Sequence, residues 1–160
     1  MNIKNYRFSK EIDSEKQSQM WYPLRMDKDY FNSIHWTVTI GTNPGFELEN
    51  QEIMDYGKFV ALFQRISEEE KNKSGVWITA VVTPSRLAYR HSAGCPISGE
   101  YAYTLTGSCN TEFATVDDYV PALKRVLAKL KDELGQVTFT LEIIPAHLVF
   151  YNDEPGYSEL

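Results

Sequence analysis

The chain has 160 residues, 42% of them hydrophobic and 13% aromatic, with 16 basic against 22 acidic side chains and a formal charge of −6. This supports one hydrophobic core and excludes both a disordered chain and two domains of typical size. An acidic chain is a poor phosphate neutraliser, so no nucleic-acid partner is expected. No stretch approaches the roughly 20 apolar residues of a membrane span, so no membrane partner is expected either.

Residues 1–33 are polar and mixed, broken by the aromatic knot Met20-Trp21-Tyr22-Pro23-Leu24, and form an arm without a helical or strand period. They show no apolar signal region. With only two cysteines, Cys95 and Cys109, a disulfide framework is not expected, and a reducing, cytoplasmic setting is. A single domain spans residues 34–152, and residues 153–160 are an acidic tail. Ile34, Trp36, Val38 and Ile40 alternate with polar residues and predict the first strand. After the turn residues 41–45, Tyr56, Phe59, Val60, Phe63 and Ile66 recur at helical spacing. Asn50 or Asp55 can cap that helix, and Gly75 suits its exit.

Residues 76–83 alternate as a second strand that Pro84 ends. Glu100 to Ser108 is the third. A second helix runs from Thr115 or Asp118 to Leu134. Pro121 is comfortable only in a first turn, which favours Asp118 as the cap. Residues 137–144 are the fourth strand, and after Pro145 residues 147–151 are a short added one. The order βαββαβ resembles the split βαβ of the ferredoxin-like fold. The expected class is α+β, with two helices on one sheet face, an N-terminal arm and an extra C-terminal strand. The fold hosts many unrelated functions and implies no activity.

Placing the large apolar rows under the helices leaves threonine on all four strands of the open face: Thr37, Thr39, Thr79, Thr83, Thr104, Thr106, Thr138 and Thr140. Strand propensity explains part of this. Trp77, Val81 and Ile144 share that parity, and large apolar groups on an open sheet meet something. A second copy of the chain is the first expectation, the N-terminal arm the second, a ligand the third.

The link at residues 84–99 gathers Arg86, Arg90, His91 and Cys95, and long loops in compact domains carry function. His91 and Arg90 could activate Cys95 as a nucleophile. A zinc site from His91, Cys95 and Cys109 lacks the paired spacings that mark one, so no metal is expected, nor any cofactor. Arg86 and Arg90 could capture a small anionic ligand bidentately. Alternatively they pair with Glu100, Glu112 or the acidic tail. His35, at the start of the first strand, and Glu142, near the end of the fourth, fall on the same face as a possible acid–base pair.

Together these residues favour a non-catalytic, self-associating cytoplasmic protein that binds a small molecule or protein partner. The alternative is a small-metabolite enzyme using His91, Cys95 and the His35–Glu142 pair where the 84–99 loop meets the open face.

Overall fold

A computed structural model of the protein describes residues 30–43 and 54–149. Residues 33–145 form one compact unit; of a second unit, residues 1–32 with 146–160, only 30–32 and 146–149 are described, as the outer ends of two strands. The expected arm lies mostly outside the described residues, and the aromatic knot and acidic tail wholly so.

The elements are β1 (Tyr30–Gly41), α1 (Tyr56–Ser74), β2 (Val81–Leu87), β3 (Glu100–Ser108), α2 (Val116–Glu133) and β4 (Leu141–Val149), with a 3₁₀ turn at His91–Ala93. The four strands form one antiparallel sheet in the order β2-β3-β1-β4. That is the expected α+β class with βαββαβ order. No helix among the described residues is long and apolar enough to cross a membrane.

One face of the sheet carries Trp36, Val38, Ile40, Tyr103 and Leu105, all buried, beneath Phe59, Phe63 and Ile66 of α1 and Tyr119, Leu123 and Leu127 of α2. Phe59 stacks on Tyr103 with ring centroids 4.2 Å apart. The Trp36 indole N–H donates to the Tyr119 hydroxyl at 2.9 Å and ties β1 to α2 through the core. The helices are joined by ion pairs Arg65–Glu133, Lys129–Glu69 and Arg125–Glu70.

α1 is capped by Asp55, whose carboxylate accepts from the Lys58 N–H at 3.2 Å, and it ends on the left-handed Gly75 (φ 77°). Three boundaries differ from expectation. Thr115, not Asp118, caps α2, accepting from the Asp118 N–H at 3.1 Å, and Pro121 sits in the second turn. Proline there faces out of the helix, since Pro121 is exposed while its neighbours Val120 and Ala122 are buried. Residues 76–80 alternate buried and exposed but lie outside the ladder, and β2 begins at Val81 and runs through Pro84. Likewise β4 begins at Leu141, not 137, and runs through Pro145 into the segment expected as a separate strand. Both prolines fall on edge strands, where a missing N–H is tolerated.

On the open face, the registers Thr37↔Thr106, Thr39↔Thr104 and Thr83↔Thr104 set the threonines side by side. Val81 and Ile144 are exposed. Trp77 is exposed too, but it flanks α1, with Lys71 Nζ 4.1 Å from its ring centroid.

Candidate active site

At one end of the open face lies a buried carboxylate. Glu100 begins β3 directly opposite Leu87 and is 4% exposed. A side chain at Gly41 would stand 2.6 Å from the Glu100 carboxyl carbon. The bare Cα of Gly41 is therefore what lets the carboxylate lie across β1. Two neutral donors hold it: the Asn43 N–H on Oε1 at 3.2 Å and the Tyr89 hydroxyl on Oε2 at 3.1 Å. Among the described residues no Lys, Arg or His forms an ion pair with it.

Burial, with the adjacent Glu100 charge, pushes the Tyr89 phenol up to about 12, so it stays a donor at ordinary pH. The Gln136 amide donates to the Asn43 carbonyl. The Asn43 side-chain oxygen is buried without a hydrogen-bond partner among the described residues. An uncompensated buried carboxylate is costly, by several kcal/mol in effective terms.

Beside it runs a groove of about 380 Å³, lined by Thr37, Val38, Thr39, Leu87, Thr138, Phe139, Thr140 and Glu142. Leu87 is the ladder partner of Glu100, and Thr39 precedes Gly41 by one alternation on the same face of β1. A row of hydroxyls crosses three strands here: Thr39 to Thr104 at 2.8 Å and Thr104 to Ser85 at 2.7 Å.

The residues singled out in the 84–99 link meet different partners from those expected. Arg86 lies 3.7 Å from the Tyr101 ring centroid and donates to the Ser98 and Gly99 carbonyls at 3.1 and 3.3 Å. It braces the link, and no ion pair with Glu100 forms. Arg90 and His91 are exposed. The His91 Nδ1 lies 2.8 Å from the Cys95 carbonyl oxygen, so the imidazole meets the backbone and not the thiol. The Cys95 thiol is buried; it accepts from the Tyr89 N–H at 3.5 Å and donates to the Leu87 carbonyl at 3.7 Å.

Cys109 follows the far end of β3, roughly 25–30 Å of strand away from Glu100, and burial pushes its thiol up to about 11. Among the described residues no three His, Cys, Asp or Glu side chains are grouped to hold a metal. His35 bonds Ser108 at 3.1 Å; Glu142 lines the groove, and among the described residues no ion pair joins the two. The sequence reading missed Glu100 as a site residue, along with Tyr89 and Asn43. The available signal was a glutamate of open-face parity beside the unusual link.

The family model for SAM lyase matches residues 31–152. The chain belongs to the SAM lyase family. This overturns the non-catalytic reading and favours the enzyme alternative, because the family is named for a bond-breaking reaction on a small metabolite. Among solved structures it resembles a phage SAM lyase in complex with S-methyl-5′-thioadenosine, with a TM-score of 0.50 and 10% identity over 81% of this chain and 97% of that one. At that identity the likeness is one of fold. No curated protein sequence matches the chain.

Proposed function

We propose that this SAM lyase family member cleaves S-adenosylmethionine to S-methyl-5′-thioadenosine in the groove of the open face, with Glu100 as the fixed negative charge that recognises the substrate's cationic centre. The observation that carries the reading is the buried Glu100 carboxylate, held by neutral donors and lacking a cation among the described residues. S-adenosylmethionine brings the missing charge as a sulfonium and an ammonium.

The chemistry follows from the product. Methylthioadenosine keeps the methyl and adenosyl groups, so the bond that breaks joins sulfur to the aminobutyrate chain. Its electron pair goes to sulfur, which becomes neutral. A lyase adds no water, so the carbon left behind is satisfied by attack of the substrate's own carboxylate, forming a C–O bond as the C–S bond breaks and needing no protein base. The sulfonium is already a good leaving group, and the protein's part is to bind, orient and exclude water.

Glu100 draws the cation toward its end of the groove, and Tyr89 and the Asn43 N–H keep the carboxylate in place. The Phe139 ring offers a stacking surface for adenine. The threonine hydroxyls of the groove suit the ribose edge. Exposed Arg90 is the proposed partner of the substrate's carboxylate, in place of an independent anionic ligand, since the substrate is cationic overall. Two free buried thiols, Cys95 and Cys109, suit the reducing cytoplasm. Self-association over exposed Val81 and Ile144, with Trp77 at the rim, is part of the proposal; a chain sedimenting as a monomer at micromolar concentration would remove it.

Purified protein incubated with S-adenosylmethionine should release methylthioadenosine, measured by chromatography. Glu100→Gln, with an unchanged circular dichroism spectrum, should lose most of that activity. Absence of product from the wild type would overturn the function, and a fully active Glu100→Gln would overturn the role of Glu100.

A further inference from the structure

In each link of the hydroxyl row beside the groove either oxygen can donate, and the third contact of Ser85 is what gives the row a direction. Ser85 Oγ donates to the Thr83 carbonyl at 3.2 Å, and a hydroxyl has one proton. With that proton kept on Thr83, Ser85 accepts from Thr104, 2.7 Å away. Thr104 spends its proton on Ser85, and toward Thr39, 2.8 Å away, it can only accept as well. Thr39 spends its own proton on Thr104. What Thr39, a groove-lining residue, has left for a ligand is a lone pair.

We propose that Ser85, Thr104 and Thr39 form a directional relay that fixes Thr39 Oγ1 as an acceptor and so makes this point of the groove a subsite for an O–H or N–H donor of the substrate. The inference rests on the reading of the groove as the substrate site. An isolated threonine could turn its proton outward and tolerate either donor or acceptor. The relay opposes that freedom, because turning the Thr39 proton outward either leaves two oxygens facing each other at Thr104 or reverses Thr104 and breaks the Ser85 bond to Thr83. Discrimination against a ligand acceptor arises because two lone pairs would face each other. The complementary donor on S-adenosylmethionine is a ribose hydroxyl or the ammonium. The first is kept in methylthioadenosine and the second is not.

The test is calorimetry with methylthioadenosine and its 2′,3′-dideoxy analogue, alongside KM for S-adenosylmethionine, on wild type, Thr39→Val and Ser85→Ala. Valine keeps the β-branched shape of threonine on the strand. A loss of about tenfold in methylthioadenosine affinity for Thr39→Val, absent with the dideoxy analogue, supports the relay with a ribose donor. An unchanged methylthioadenosine affinity with a raised KM and unchanged kcat supports it with the ammonium. Ser85→Ala should give a smaller loss in the same assay, since it frees the direction without removing the oxygen at Thr39. Equal losses with both nucleosides, or no change in either affinity or KM, overturn the relay while leaving the lyase reading intact. A wild type that makes no methylthioadenosine overturns both.

Discussion

Two glutamates among the described residues are buried, and they are held in opposite ways. Glu70, between the helices, is 7% exposed and receives three hydrogen bonds from the Arg125 guanidinium, at 2.6, 3.1 and 3.2 Å. That guanidinium holds its carboxyl below the ordinary value of 4.5. Glu100, 4% exposed at the end of the open face, receives among the described residues a backbone N–H and a phenol. The first carboxylate has its cation built into the fold and serves to join α1 to α2. The second lacks one among the described residues, and in the proposed function the substrate supplies it. Burial alone therefore does not distinguish the two acids; the counter-charge built in at Glu70 and not at Glu100 does.

The contrast can be broken at either end, and the effects should fall in order. Glu100→Gln removes the charge with little change in shape and should lower kcat/KM for methylthioadenosine formation by about a hundredfold, chiefly through a raised KM because the sulfonium charge is lost as the bond breaks, whereas Arg125→Ala should leave it within twofold. Gly41→Ala leaves Glu100 in the sequence but pushes its carboxylate off β1. It should cost about tenfold to a hundredfold in kcat/KM, since small misplacements of a positioned group are expensive. Tyr119→Phe strands the buried Trp36 N–H, and urea denaturation should show a loss of about 1–3 kcal/mol with activity kept.

The smallest effect is a pH dependence. Because the folded Glu70 carboxyl lies below 4.5, its pairing stabilises the fold fully above that value, and the contribution is lost as pH falls through the lowered folded value. The difference in Tm between wild type and Arg125→Ala should be largest near neutrality and shrink in acid. A difference that grows in acid would refute the assignment of Glu70.

The element order was legible because burial on one side leaves a period in the sequence, of 3.6 in α1 and α2 and of 2 in β1 and β3. The same signal misplaced residues 76–80. Val76 and Ile78 are buried while Trp77 and Thr79 are exposed, so the alternation is real, but it reports burial and not ladder pairing. Pro84 and Pro145 read as stops because a proline's rank as a strand breaker depends on whether its strand is an edge, and β2 and β4 are the two edges. The site was less legible. His91 and Cys95 do meet, but through a ring nitrogen and a carbonyl oxygen, an atomic choice that spacing does not encode. Glu100 looks like an ordinary solvated strand end until Gly41, on another strand, is seen to make room for it.

The central claim is that Glu100 recognises positive charge at sulfur. Methylthioadenosine and its S-methyl sulfonium differ at that atom alone, one neutral and one cationic, and neither carries the aminobutyrate chain. Calorimetric Kd values for this pair on wild type and Glu100→Gln measure the claim directly. Wild type should bind the sulfonium at least about tenfold more tightly than the thioether, a preference well within what one partly screened charge pair supplies, and Glu100→Gln should erase it. Equal affinities in the wild type, or a preference that survives in Glu100→Gln, would contradict the account.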